Sequence, residues 1–218
     1  MIPALPVSWE SADSGEPLEA GTLEIWRGPL SHSSGSGDDD LLTPEERACA
    51  ACMLHPLRRA QFAAGHALLH RVRARHGMPL SASLSHSAQW ILVAAVRSGP
   101  VGVDVETMRT DRSLDRLSER FFVPEEHHWL MQFPAVERGH LFYALWTAKE
   151  ALFKALGMPV GAAHFAARRV FASESGPTLP QHVVIEGCRV GWFSAADGHM
   201  GAYAVPERVS RVRYLRSG

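Results

Sequence analysis

Apolar positions recur at helical spacing from Leu57 to His76, and from Ser83 onward the period changes to that of strands. Ahead of that helix, Thr43-Pro44-Glu45-Glu46 reads as a helix start, with a capping Thr, Pro at the first helical position and acids in the first turn. The helix it opens is predicted to run to about Leu54, where His55-Pro56 breaks it. The amphipathic helix from Leu57 ends at Gly77 and Pro79. Strands are predicted at 22–27, 83–86, 90–97 and 101–106, with a turn at Ser98-Gly99-Pro100. Helical patterns return over 113–120, 124–132 and 136–156. After Gly157-Met158-Pro159 the chain is again β-rich, at 164–172, 182–186, 188–195, 199–205 and 209–215. Ser31 to Asp40 is polar, Gly-bearing and of low complexity, and is expected to be a mobile connector.

Each half of the chain thus combines helices with a small, mainly antiparallel sheet, an α+β pattern, although no internal repeat is visible in the residues themselves. The expected organisation is an irregular arm over 1–20, an N-terminal subdomain over 21–99 and a C-terminal subdomain over 100–218. The strand at 101–106 would open the second half. The 218 residues are ample for a core, and 46% hydrophobic with 21% charged is ordinary for a globular protein. A formal net charge of −1 gives no sign of a nucleic-acid-binding surface. No apolar run approaches the ~20 residues that span a bilayer, and the first residues do not read as a secretion signal. A cytoplasmic protein without nucleic-acid or membrane partners is expected. Cys49, Cys52 and Cys188 form no metal-binding pattern and read as small apolar fillers in a reducing compartment.

Two segments carry candidate chemistry. In Gly102-Val103-Asp104-Val105-Glu106 the carboxylates stand at i and i+2 of a strand and therefore share one face. An outward-facing pair on a half-buried strand is the simpler reading of any isolated Asp-x-Glu. Here the valines and Gly102 favour a core strand whose acids emerge at a sheet end. The second segment, Trp146-Thr-Ala-Lys149-Glu150-Ala-Leu-Phe-Lys154, is a helix that is apolar over much of its circumference. As a surface pair, Glu150 and Lys154 would contribute only about 0.2–0.5 kcal/mol. A largely buried helix minimises such charges unless they have partners. Glu150 facing Asp104 and Glu106 would need a cation, and three carboxylate oxygens beside lysines suit Mg²⁺ and a phosphate.

Other positions are less distinctive. Ser85-His86-Ser87 ends a strand; without a G-x-S-x-G elbow it fits an anion contact better than a hydrolase nucleophile. Arg58-Arg59 reads as a phosphate grip or, more simply, a solvated basic edge. Phe121-Phe122-Val123-Pro124-Glu125-Glu126 reads as a helix end followed by a new helix whose first-turn acids suit its dipole.

The order Ser85-His86-Ser87, Gly102-Val-Asp104-Val-Glu106, Phe121-Phe-x-x-x-Glu126 and Trp146-x-x-Lys149-Glu150-x-x-x-Lys154 resembles that of the 4′-phosphopantetheinyl transferases. The likeness is to the larger, single-chain type, similar to the enzyme that activates surfactin synthetase, and it runs from about Leu42 to Phe171. It implies two similar α/β subdomains related by a pseudo-twofold, with coenzyme A as co-substrate bound between them. It further implies Mg²⁺ held by Asp104, Glu106 and Glu150. A carrier-protein serine, of the acyl or peptidyl type, would attack the pyrophosphate and release adenosine 3′,5′-bisphosphate, a holo-carrier synthase activity of the kind used in secondary metabolism. Glu150, directly or through a water, is the candidate base; Lys154 would neutralise a phosphate oxygen and Glu126 would stand near the metal. Ser85, His86 and Lys149 match coenzyme A contacts, with Arg58, Arg59 and His66 as further candidates, and a monomer would suffice. The family often carries Arg at the places of His66 and His70, and a cation at that of Met78. Weaker, more pH-sensitive coenzyme A binding is therefore expected. The alternative is a non-catalytic or weakly active relative that binds coenzyme A or a carrier protein. A third reading is a different Mg²⁺-dependent phosphotransferase or hydrolase on the same acids, with no Walker-type loop present to favour a nucleoside triphosphate.

Overall fold

The computed structural model describes residues 6–12, 16–30, 38–159, 165, 168–170 and 180–217. The chain divides into two compact units, Ser8–Gly99 with Arg208–Gly218 and Pro100–Glu207 with Met1–Val7. The stretch 208–218, expected in the C-terminal subdomain, instead belongs with 8–99.

The first unit is built on a five-stranded sheet in the order β1-β9-β2-β4-β3. Its strands are β1 (Glu10–Ser11), β2 (Thr22–Pro29), β3 (Ser81–Ser87), β4 (Trp90–Val96) and β9 (Arg211–Arg216). β2, β4 and β3 run antiparallel, whereas β9 lies parallel to β2 in the register Thr22↔Arg211 to Arg27↔Arg216. A buried carboxylate locks that return. Glu24 accepts from Arg213 Nη1 at 3.2 Å and from Trp26 Nε1 at 2.9 Å, and lies 2.7 Å from His76 Nε2. Burying Glu24 alone would be costly, so the final strand arrives with the charge it needs. The arm expected to be irregular supplies β1, which pairs with β9.

Three helices accompany this sheet: α1 (Asp38–Leu41), α2 (Pro44–Ala51) and α3 (Pro56–His76). α1 replaces the end of the expected connector, whose residues 31–37 lie outside the described residues. Thr43 caps α2 as its sequence predicts: Thr43 Oγ1 accepts from Glu46 N–H, and Glu46 Oε2 accepts from Thr43 N–H. α3 stops where Gly77 takes φ +67°, and it packs Ala64, Leu68 and Val72 onto Trp26, Ile91 and Val93. The cysteine reading needs correction. α2 turns Ala50 inward and leaves Cys49 and Cys52 exposed, so of the three only Cys188 is a core filler.

The second unit holds β5 (Gly102–Thr107), α4 (Leu114–Phe121), α5 (Pro124–Leu130), α6 (Ala135–Ala155), β6 (His182–Ile185), β7 (Cys188–Ala196) and β8 (His199–Pro206). Its sheet is antiparallel throughout, in the order β5-β8-β7-β6. Of the strand expected over 164–172, Phe165 and 168–170 are described and none is in a strand. α6 lies across one face of the sheet. Leu141, Leu145, Ala148 and Leu152 pack with Trp192, Met200, Ala202 and Ala204, and Trp192 Nε1 donates to the Ala144 carbonyl at 2.9 Å.

At Gly102 the helix comes closer to the strand than a side chain permits. A Cβ placed there would stand 1.8 Å from the Ala151 carbonyl oxygen and 2.8 Å from the Ala155 nitrogen, both backbone atoms that cannot swing away. Gly102→Ala is expected to destabilise the protein by more than about 2 kcal/mol, as overpacking against backbone does. A chemical denaturation curve checks this, and a change within about 0.5 kcal/mol would mean that α6 is free to withdraw.

Candidate metal and phosphate site

The contact at Gly102 sets the site. Side chains alternate along β5, so Asp104 and Glu106 point to the same face as Gly102, the face that α6 covers. The last turns of α6 bring Glu150 to those acids. Asp104, Glu106 and Glu150 each offer an oxygen, all within 4.8 Å of one another. One helical turn further, Lys154 Nζ donates to the Val103 carbonyl at 3.0 Å and to Asp104 Oδ1 at 2.8 Å, and lies 3.9 Å from Glu150 Oε2. Trp146, one turn before Glu150, donates its indole N–H to Glu150 Oε1 at 3.1 Å. The i, i+4 spacing of Trp146 and Glu150 was the sequence signal for that contact.

Three carboxylates at such distances repel one another, and the protein answers in two ways. Lys154 supplies one positive charge. Burial, then the negative charge of Asp104, push the Glu150 carboxyl up to about 8 against the pull of Lys154, so it retains a proton near neutrality. An all-oxygen donor set of two half-buried acids and one buried acid fits a hard divalent cation such as Mg²⁺, with coordination positions left for other oxygens.

The side chains of Glu126 and Lys149 have no solvent exposure and pair with each other at 2.7 Å. Burial pushes the Lys149 ammonium down from the ordinary lysine range, and Glu126 opposes that shift. Ser85, His86, Arg58, Arg59 and His66 belong to the first unit. Ser85 is buried and His86 exposed on β3, where alternation turns them to opposite faces. Arg58 and Arg59 are exposed, and Arg59 donates to the Met53 carbonyl at 2.8 Å, bracing the α2–α3 turn. His66 Nδ1 and His70 Nε2 each contact one oxygen of Glu46, at 2.7 and 2.8 Å. Burial raises the Glu46 carboxyl, but the Thr43 N–H and then the two imidazoles outweigh it and hold the group at about 2.

Sequence reasoning did not locate the cavities. One of about 390 Å³ is lined by Met108, Arg109, Arg112, Leu114, Arg138 and Tyr143, among others. A smaller one of about 50 Å³ is lined by Glu106, Leu117, Phe142 and Trp146, and shares Arg112 and Tyr143 with the first. An apolar basin ringed by three arginines therefore adjoins a pocket that reaches the acid Glu106.

The family model described as the 4′-phosphopantetheinyl transferase superfamily matches residues 100–186, which contain all three acids and Lys154. The chain is 28% identical over 162 residues to the 4′-phosphopantetheinyl transferase HetI of Nostoc sp., covering 62% of this chain and 68% of that protein. It is 36% identical over 103 residues to the 4′-phosphopantetheinyl transferase psf-1 of Bacillus pumilus, covering 46% and 42%. With the 4′-phosphopantetheinyl transferase ffp of Bacillus subtilis it shares 33% identity over 141 residues, covering 61% and 60%. The matches to psf-1 and ffp thus span less than two thirds of those relatives.

The raised carboxyl would make cation binding at these acids pH-dependent. In the unfolded chain Glu150 titrates near 4.5 and in the metal-free folded protein near 8, so the folded state holds the extra proton between those limits. Its contribution to stability is therefore lost as pH rises through that window. A divalent cation must displace the same proton. Mg²⁺ is expected to raise the melting temperature more at pH 8.5 than at pH 5.5, and Glu150→Gln to flatten the difference. Thermal melts with and without Mg²⁺ decide it; an equal shift at both pH values would contradict the assignment.

Proposed function

We propose that this chain, similar to the 4′-phosphopantetheinyl transferase superfamily over residues 100–186, is such a transferase and moves the phosphopantetheine arm of coenzyme A to a carrier-protein serine with the help of Mg²⁺. The observation that carries the reading is the convergence of Asp104, Glu106 and Glu150 beside Lys154. In such a transfer the serine oxygen forms a bond to the β-phosphorus as the bond to the bridging oxygen breaks. Adenosine 3′,5′-bisphosphate leaves, and the serine gives up its proton. Little covalent work falls to the protein, which contributes position and charge. Mg²⁺, when held by the three acids, neutralises pyrophosphate oxygens. Lys154 brings a further positive charge within reach of the same oxygens, and its bond to Asp104 keeps it there. Glu150, fixed by the Trp146 indole, is the carboxylate best placed to take up the serine proton. Ser85 and His86 keep their proposed role as coenzyme A contacts. A long helix on a small sheet in each unit suits the two similar halves implied by the resemblance.

The larger cavity is the proposed contact surface for the carrier. Met108 and Leu114 offer apolar surface there, and Arg109, Arg112 and Arg138 surround it with positive charge, complementary to an acidic carrier helix. Arg109 is shared with Asp111 and Arg138 with Asp115, which leaves Arg112 the most available of the three.

Incubation with an apo-carrier protein, coenzyme A and Mg²⁺ should add one phosphopantetheine mass to the carrier. Asp104→Ala and Glu150→Ala should each abolish the gain. Several acyl and peptidyl carriers left unmodified, with coenzyme A still bound, would favour the non-catalytic relative. Arg112→Glu is expected to raise the KM for the carrier by about tenfold and leave coenzyme A affinity unchanged. Initial-rate kinetics separate the two constants, and an unchanged carrier KM would remove the cavity from the docking surface.

A further inference from the structure

We propose that Glu126 and Lys149 are positioning residues rather than ligand contacts: they clamp Phe165, Arg168 and Val170 and so hold the Trp146 ring that orients Glu150. The inference deepens the functional reading above and rests on it for its catalytic meaning, but its geometric part stands alone.

Lys149 lies one residue before a metal-site acid, yet its ammonium turns away from that site. It is surrounded by the Glu126 carboxylate, the Phe165 carbonyl at 3.1 Å and the Arg168 carbonyl, as many acceptors as it has protons. Both side chains are fully enclosed, so no phosphate oxygen can reach the ammonium without displacing protein. Glu126 completes the clamp from α5, its Oε1 accepting from the Val170 N–H at 2.6 Å. Two carbonyls and one amide within six residues are thereby tied to one ion pair, and the pair joins α5, α6 and this segment.

The consequence reaches the acids through rings. Phe165, held by its carbonyl, sets its ring edge-on against Trp146 at 5.0 Å and tilted over Phe153 at 5.3 Å. Trp146 is wedged on its other sides by Phe121 and Phe142, at 5.7 Å from each. The indole N–H that this packing aims is the one bonded to Glu150 Oε1. Phe122 lies 5.4 Å from the ammonium and adds a π face to its enclosure. A clamp with a full acceptor set is worth more to geometry than to net stability, because burying the two charges offsets most of their attraction.

The test compares Lys149→Met, Glu126→Gln and the double variant by two readouts. The first needs neither coenzyme nor carrier: limited trypsin digestion of the full chain, with cleavage after Arg168 and Arg169 followed by mass spectrometry. Each single variant should speed that cleavage about tenfold or more, since one partner is left buried and uncompensated. The double variant, with no charge left to bury, should return part of the way to wild type. The second readout is the dissociation constant of coenzyme A by calorimetry beside the kcat of carrier modification. A positioning role predicts a fall in kcat with the dissociation constant unchanged, and partial recovery of kcat in the double variant. Coenzyme A binding weakened tenfold by Lys149→Met, with cleavage unchanged and no recovery in the double variant, would overturn the proposal. If the single variants do not fold, a folded double variant with near wild-type coenzyme A affinity supports it, and one that has lost that affinity overturns it. Should the wild type modify no carrier at all, the functional reading fails, and the cleavage comparison still decides the clamp.

Discussion

The near-contact of β5 and α6 at Gly102 is the constraint on which the site depends. A strand and a helix normally stand apart by the length of the side chains between them, and carboxylates on their facing surfaces would then be too distant to share an ion. Removing one Cβ lets the Ala151 carbonyl approach the strand. The next two inward positions of β5, Asp104 and Glu106, then fall beside Glu150 and Lys154. The spacing of the acids in sequence, i and i+2 on the strand, becomes useful only because the glycine two residues earlier draws the helix down. The apolar seam of Leu145, Ala148 and Leu152 on Met200 and Ala202 holds it there. Packing energy thus keeps together charges that would otherwise separate.

The charges themselves are kept tolerable rather than favourable. Lys154 is bonded to the most buried acid, and Glu150 keeps a proton that burial and then the charge of Asp104 make hard to lose. Both arrangements leave the metal-free site near balance. A divalent cation held by Asp104, Glu106 and Glu150 would take the place of that proton and relieve their repulsion, with Lys154 beside the same carboxylates. The contrast with Glu126 and Lys149 is instructive. Those two pair with each other, Lys149 also donating to the Phe165 carbonyl and Glu126 accepting from the Val170 N–H.

Much of this was legible in the chain. The capping box at Thr43, the long helices of α3 and α6, and the strands from β3 to β5 and from β6 to β9 follow from local pattern, because each rests on neighbours in sequence. The shared face of Asp104 and Glu106 follows from the strand period alone. What could not be read are the pairings that join distant residues. Nothing near Arg213 announces that it will meet Glu24 across 189 positions and carry the last strand to the first unit. The motif Trp-x-x-Lys-Glu also gives Lys149 and Glu150 the same local standing. A helix turns successive residues by about 100°, so only tertiary contact decides that one faces the acids and the other a closed pocket. The exposed Cys49 and Cys52 show the same limit: an Ala-rich helix does not say which side is buried.

His66 and His70, expected from the resemblance to stand where arginines are common, have a similar lesson. An arginine at either position would carry a permanent charge available to a phosphate. Here each imidazole of α3 donates to a different oxygen of one carboxylate on α2, and that carboxylate also closes the cap of its own helix. The group depressed by this arrangement is Glu46, held at about 2 against an unfolded value of 4.5. A depressed carboxyl contributes stability above its unfolded value and loses it as pH falls toward the folded one. What the histidines provide is therefore a link between α2 and α3 that persists through neutral and mildly acidic conditions. For His66 or His70 to serve a coenzyme phosphate as well, an imidazole must leave Glu46 or share its second nitrogen. Any coenzyme grip in this region is thereby coupled to the docking of α2, a dependence that an arginine in either place would not impose.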